Sequence, residues 1–148
     1  MAESRYNYVT YIKATPEAVW DALTSAEAMQ TYFFGCPFEA DLRTGGSWRR
    51  MFPDGSLMTE GEILDYDPAS RLDMSWRNAE PEKKAEGFSR CLMELAPMGS
   101  ATKLTVTQSI GVADSKLIAA VADAWPQVMS NLKTYCETGE AALTVPSR

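Results

Sequence analysis

The sequence predicts an α+β fold in which a curved antiparallel sheet of about seven strands wraps around one long C-terminal helix, with two short helices after the first strand. Two patterns in the 148 residues predict it. Between positions 37 and 110, apolar and polar residues alternate, which is typical of a sheet buried on one face. After Gly111, apolar residues recur every three or four positions, which is typical of an amphipathic helix. One apolar sheet face and one apolar helix stripe favour packing against each other.

The first three elements follow from local residue types. Residues 5–13 are rich in aromatic and β-branched side chains and are predicted to form the first strand. Thr15 suits the N-cap of a short helix because its hydroxyl can accept a backbone N–H bond, and Pro16 suits the first helical position. Ser25 offers a second N-cap, for a helix that ends at about Tyr32.

Turn sequences divide positions 37–110 into the remaining strands. They are rich in Gly, Pro and Asp, which favour turn backbone, and they stand at positions 44–46 (TGG), 53–55 (PDG), 67–69 (DPA) and 97–100 (PMGS). The segments between them alternate with period 2, so each has one apolar face. Residues 78–86 are polar and charged, and we predict an exposed, mobile loop there.

The C-terminal helix is predicted to span roughly 25 residues and to end at Gly139, because glycine favours the C-cap conformation. Pro126 lies inside this span. Since proline lacks an N–H group, it predicts either a kink at this point or a helix that begins only there.

Length and charge exclude several classes of partner. The chain carries a net charge of -6 and has a sequence pI of about 4.7, so it lacks the positive field that attracts nucleic acid or anionic membranes. No stretch approaches the ~18 consecutive apolar residues of a membrane-spanning helix, so no membrane insertion is expected. The first residues show no signal-peptide pattern. We therefore expect one cytoplasmic domain that spans residues 1–148.

The absence of histidine is the sharpest compositional constraint. With no histidine, the chain lacks the usual nucleophile–base pairs and the commonest ligands of zinc and iron. Cys36, Cys91 and Cys136 are far apart in the sequence and lack metal-ligand spacing, which indicates reduced thiols rather than a disulfide framework. We therefore expect no metal, no cofactor and no obvious catalytic residue.

Several motifs, taken together, resemble a known superfamily. They are TPEAVWDAL at positions 15–23, DLRTGGSW at 41–48, GEILDYDP at 61–68 and AWPQVM at 124–129. The combination resembles the helix-grip fold of the START and birch-pollen-allergen superfamily, SRPBCC, in the branch named for the activator of the heat-shock protein 90 ATPase. The resemblance implies this fold, which commonly holds a small apolar ligand, and some superfamily members are enzymes. The family often has a histidine where this chain has Gln108.

Eight residues are candidate ligand contacts, because strand alternation and helix spacing place them between the sheet and the C-terminal helix: Trp48, Arg50, Thr59, Trp76, Met93, Gln108, Trp125 and Met129. Aromatic and methionine side chains suit the wall of an apolar cavity, although the same pattern fits residues that only fill the core. Arg50 shares the face of Trp48 and could bind a ligand carboxylate. Alternatively, Arg50 reaches solvent or pairs with Glu39 or Asp41.

The leading functional interpretation is a domain that binds a small hydrophobic or amphipathic molecule between sheet and helix, and the specific hypothesis is an apolar ligand with a carboxylate. One alternative is a co-chaperone-like protein-interaction module. Another is a cavity enzyme that uses acid–base residues other than histidine. Another chain of the same sequence is also a possible partner, in a homodimer. The paired carboxylates Glu60 and Glu62 alternate in phase with solvent-facing positions, so they predict a solvated face rather than an active site.

Overall fold

The computed structural model describes residues 3–144, which form seven strands and four helices. In chain order these are β1 Ser4–Ile12, α1 Pro16–Thr24, α2 Ala26–Tyr32, β2 Phe38–Ala40, β3 Ser47–Met51, β4 Leu57–Asp67, β5 Arg71–Asn78, α3 Pro81–Lys84, β6 Ser89–Met98, β7 Ala101–Ile110 and α4 Lys116–Thr138.

All seven strands belong to one antiparallel sheet in the order β1-β7-β6-β5-β4-β3-β2. The inner face of this sheet is apolar, and α4 lies along it, with contacts to β1 and β7. Helices α1 and α2 both pack against α4. Helix α1 also contacts β6 and β7, and α2 contacts β2 at the end of the sheet. The predicted helix-grip architecture is confirmed, including the two short helices after the first strand.

The caps of the two short helices are those that the sequence predicts. The Thr15 side chain accepts a hydrogen bond from the N–H of Ala18 at 3.1 Å. The Ser25 side chain does the same for Ala28, also at 3.1 Å, and Ser25 also ends α1. One residue therefore fixes the change of direction between α1 and α2.

Helix α4 runs through Pro126 without ending there. It begins at Lys116, after the N-cap Ser115, and it ends at Gly139, whose φ of 86° is the left-handed conformation that glycine adopts easily. The prediction that the helix begins only near the proline is therefore wrong. No helix within residues 3–144 combines the length and apolar character needed to cross a membrane.

The segment predicted as a mobile loop is partly ordered by α4. It contains the short helix α3, and beyond it the Glu86 carboxylate accepts hydrogen bonds from the Ser115 hydroxyl at 2.6 Å and the Lys116 N–H at 2.8 Å. The prediction of a loop is wrong at residues 81–84, which form α3, and the sequence did not indicate the contact of Glu86 because its partners are distant along the chain. The first N–H groups of a helix need acceptors, and a carboxylate there also complements the helix dipole.

Gly61 in β4 marks a very close approach inside the sheet. The Trp48 indole crosses it, and Trp48 Nε1 donates a hydrogen bond to the Ser75 carbonyl at 3.0 Å. A methyl group on Gly61 would lie 1.8 Å from that carbonyl oxygen and 2.8 Å from the indole nitrogen. Only glycine therefore fits at this position.

Candidate functional site

An interior cavity lies between the inner face of the sheet and helices α1, α2 and α4. Its volume is about 20 Å³, slightly more than the ~10–15 Å³ that one water molecule requires. Its wall is mostly apolar and includes four methionines, which repack easily because their side chains are unbranched. The lining residues are Leu23, Met29, Tyr32, Phe33, Phe38, Arg50, Leu72, Met74, Met93, Trp125, Val128 and Met129.

Arg50 points inward from β3 and is the one charged residue among the described residues that line this wall. It is only 3% exposed. The alternatives in which Arg50 reaches solvent or pairs with a nearby carboxylate are wrong. Arg49, on the opposite face of the strand, binds Glu39 at 2.8 Å, and Asp41 binds Arg43 at 2.7 Å.

Aromatic rings surround the Arg50 guanidinium. The Cζ atom lies 4.0 Å from the centre of the Phe33 ring, and three other ring centres lie at 5.3 to 5.5 Å, those of Trp76, Phe38 and Trp48. Cation–π attraction offsets part of the cost of burying the charge. Nη2 donates to the Met29 thioether sulfur at 3.2 Å, a weak acceptor. Nε and Nη1 find no acceptor within residues 3–144.

The ionisable groups nearest Arg50 are neutral at pH 7. Burial raises the pKa of Tyr32 far above its ordinary value, although the charge of Arg50 lowers it slightly. Burial likewise raises the pKa of the Cys36 thiol, and it raises that of Cys91 to about 12. Burial lowers the pKa of Arg50 to about 10, so the guanidinium remains charged at neutral pH. Arg50 is therefore a buried cation with no counter-ion among the described residues.

Thr59 is the cross-strand partner of Arg50. The two residues are directly opposite in the β3–β4 ladder, and Thr59 is 1% exposed. Its hydroxyl oxygen forms no hydrogen bond to any other described residue. Polar groups without a hydrogen-bond partner are rare in a protein interior, so the presence of two such side chains, Arg50 and Thr59, on adjacent strands calls for an explanation.

The predicted contacts Trp48, Trp76, Gln108 and Trp125 are buried, but their polar groups already have partners. Trp125 Nε1 donates to Gln108 Oε1 at 2.9 Å, and Gln108 Nε2 donates to the Ser89 hydroxyl at 3.0 Å. Trp76 Nε1 donates to the Asn78 side chain at 2.9 Å. Gln108 thus joins α4 to the sheet. The indoles form a chain in which the Trp76 ring centre lies 5.1 Å from that of Trp48 and 5.6 Å from that of Trp125.

The cavity wall combines predicted and unpredicted residues. Arg50, Met93, Trp125 and Met129 line it, as the strand and helix patterns suggested. The cavity is also lined by Met29 and Tyr32 of α2 and by Phe33 directly after that helix, which were not predicted as contacts. These three form an apolar stripe that is visible in the sequence, but its distance along the chain from β3 hides its proximity to Arg50.

A larger depression of about 1160 Å³ lies on the outer face of β2–β5, but it is a weaker candidate. It is open to solvent, and both arginines in its wall are already paired, Arg49 with Glu39 and Arg77 with Glu60, both at 2.8 Å. Because Glu60 belongs to this outer surface, it takes no part in the interior cavity.

The interior wall differs from the outer depression in its acidic side chains. Among the described residues that line it, none is a carboxylate. Nor does any group of three or more acidic or cysteine side chains within residues 3–144 have the arrangement needed for a metal ion.

Comparison with known protein families shows which family the chain belongs to. The sequence profile described as "Activator of Hsp90 ATPase homolog 1-like protein" matches residues 13–137, from the end of β1 almost to the end of α4. The chain belongs to this family. A comparison with curated proteins gave no match.

Solved structures share the fold of this member of the activator of Hsp90 ATPase homologue family at low sequence identity. A protein from Mesorhizobium loti has a TM-score of 0.79 at 20% identity, covering 90% of this chain and 97% of its own. The Aha1 dimer from Colwellia psychrerythraea has a TM-score of 0.77 at 16% identity, with coverages of 93% and 99%. An HSP90 activator from Plasmodium falciparum has a TM-score of 0.73 at 17% identity, with coverages of 91% and 96%.

Proposed function

We propose that this chain binds a small hydrophobic or amphipathic molecule in the cavity between the sheet and helices α2 and α4. The observation that carries the proposal is the wall of that cavity, which is apolar, lies inside the fold and includes four methionines. Methionine side chains can move apart without breaking a hydrogen-bond network, so the site can adapt to a ligand.

The cavity must enlarge to admit a ligand, because about 20 Å³ is far below the ~300–1,000 Å³ of typical small-molecule sites. The wall best able to move is α2 with residues 33–36, which form no strand ladder. Phe34 and Gly35 have left-handed backbone, with φ of 52° and 75°, a conformation that is strained for phenylalanine. Asn131 Nδ2 holds this cover through the Tyr32 carbonyl at 3.1 Å. Ligand entry would displace the cover and the methionines beneath it.

Native mass spectrometry of freshly purified protein tests the proposal first, since a molecule that travels with the chain appears as added mass. The ligand-free protein is then titrated by calorimetry with eight-carbon amphiphiles and with aromatic acids and their esters. In a separate unfolding measurement, a ligand at 100 times its dissociation constant should raise the free energy of unfolding by ~2.7 kcal/mol.

A matched pair of variants locates the site. Met129→Phe places a stiff side chain in the cavity wall and should weaken binding about tenfold or more. Met98→Phe changes an exposed methionine in the β6–β7 hairpin and should leave binding unchanged. If no added mass is found and no compound binds, the proposal fails. Equal weakening by both variants would place binding outside the cavity.

A second candidate function is a co-chaperone-like interaction module. It is favoured by family membership and by the fold shared with an HSP90 activator and with an Aha1 dimer. Stimulation of a heat-shock protein 90 ATPase by the purified chain would support it. Light scattering after size-exclusion chromatography tests the homodimer, for which the expected mass is twice 16.3 kDa.

A further inference from the structure

We infer that Arg50, which lines this cavity, and its cross-strand partner Thr59, which is not among the lining residues, form a head-group site that binds the anionic end, carboxylate or phosphate, of an amphipathic ligand. The inference rests on the proposed function and adds the chemical class of the ligand. Five buried side-chain polar atoms have no hydrogen-bond partner among the described residues, and three of them belong to this pair: Arg50 Nε, Arg50 Nη1 and Thr59 Oγ1. The other two, Arg71 Nε and Arg77 Nε, belong to side chains that form an ion pair with a carboxylate.

The Arg50 guanidinium is buried without a counter-ion among the described residues. A buried charge is costly unless it is paired and its hydrogen-bond donors are satisfied. The surrounding rings attract the cation through their π faces, but a ring is a poor acceptor for the N–H groups. Methionine would fill similar space without this cost. A cation in this position is therefore explained best by an anion that occupies the cavity for part of the time.

The two donors come from one cross-strand pair. Side chains directly opposite in an antiparallel ladder have Cβ atoms about 4.5–5.5 Å apart, and Arg50 and Thr59 are both buried on the inner face. A carboxylate or phosphate has two or more oxygens with free lone pairs. One such group can therefore accept from the guanidinium and from the hydroxyl together.

The protein supplies only a weak substitute for that anion. The Met29 thioether accepts from Nη2, and Met29 belongs to α2, the cover of the cavity. An anionic oxygen is a far stronger acceptor for a guanidinium than a neutral sulfur. Head-group binding would thus compete with a contact that holds the cover against β3.

The test uses calorimetric titration with four probes that share an eight-carbon tail: octanoate, octyl phosphate, methyl octanoate and 1-octanol. At least one of the two anions should bind wild-type protein about tenfold or more tightly than either neutral probe, as expected for charge-assisted hydrogen bonds. Arg50→Met should abolish this preference while the neutral probes still bind. Thr59→Val should weaken the anion roughly three- to fivefold and leave the neutral probes unchanged.

Arg77→Met is the matched control, because Arg77 lies on the outer face, where it pairs with Glu60. It should bind all four probes like wild type. Equal affinities of anionic and neutral probes for wild type would overturn the head-group site and leave the proposed function standing, whereas no binding by any probe would overturn both. A preference for anions that survives Arg50→Met would also overturn the inference. If Arg50→Met fails to fold, the wild-type comparison and Thr59→Val still decide it.

Discussion

Arg50→Met measures what the buried cation costs the ligand-free fold, because methionine retains apolar volume and removes the charge. Burial lowers the pKa of Arg50 from 12.5 to about 10, a fall of about 2.5. At 1.36 kcal/mol for each pKa unit, the charge destabilises the folded state by roughly 3 kcal/mol. Loss of the ring contacts, worth ~1–2 kcal/mol, opposes this gain. We therefore expect Arg50→Met to stabilise the free protein by about 1–2 kcal/mol.

Urea unfolding followed by far-ultraviolet circular dichroism gives the free energy directly. For a domain of this length each kcal/mol moves Tm by ~2–4 °C, so the variant should melt roughly 2–8 °C higher. Arg77→Met should give no such gain, because the Arg77 side chain is 28% exposed and paired with Glu60. The substitution that removes the head-group site should thus raise stability, the trade-off that is common at functional positions.

The pH dependence of the same variant provides a check on the cause. Because the folded-state pKa of Arg50 is lowered, the unfolded chain binds more protons between pH of about 10 and 12.5, and the stability of the wild type gains with pH in that window. The advantage of Arg50→Met should therefore be complete below pH ~10 and shrink above it. A loss of more than ~1 kcal/mol at pH 7 would refute the reasoning and make Arg50 a structural residue held by its aromatic neighbours.

Three further predictions concern the fold. Trp125→Ala should cost ~3–5 kcal/mol in urea unfolding, because this side chain is 3% exposed, and a loss under ~1 kcal/mol would mean that α4 does not dock by this face. Gly61→Ala should cost ~3 kcal/mol or more because of the clash with Ser75, whereas Gly111→Ala, with open space around it, should be nearly neutral; equal effects would contradict the close approach. Burial raises the pKa of Cys91 from 9.0 to about 12, so its stabilising contribution is complete below pH 9 and lost between pH 9 and 12, where it opposes the gain at Arg50. Relative to wild type, the Tm of Cys91→Ala should therefore rise with pH in that window, and a constant difference in Tm would exclude this thiol as a cause.

The fold could be predicted from the sequence because its signals are local. The alternation of positions 37–110 sets the sheet, and the caps at Thr15, Ser25 and Gly139 set helix ends within a few residues of their own positions. What escaped prediction depends on distant partners. Glu86 is ordered by the N-terminus of α4, a contact between elements that are separated by two strands in the chain.

The candidate site could be predicted only in part, for a related reason. The inward direction of Arg50 follows from its phase with Trp48, but the sequence could not show whether Glu39 would reach it. The register decides that question, because Glu39 faces Arg49 across the β2–β3 ladder. Gln108 was placed correctly at the interface, yet its hydrogen bond to Trp125 is a contact between sheet and helix that no local pattern specifies.

The chain of three indoles should give the contact between sheet and helix a spectroscopic signal. Ring centres at 5.1 and 5.6 Å are close enough for the excited states of neighbouring indoles to mix. The near-ultraviolet dichroism should then contain a coupled signal rather than the sum of separate chromophores. Trp48 and Trp76 both belong to the sheet, while Trp125 belongs to α4, so lifting the helix would uncouple one pair and leave the other. Near-ultraviolet dichroism of the unlabelled protein should therefore report the separation of α4 from the sheet.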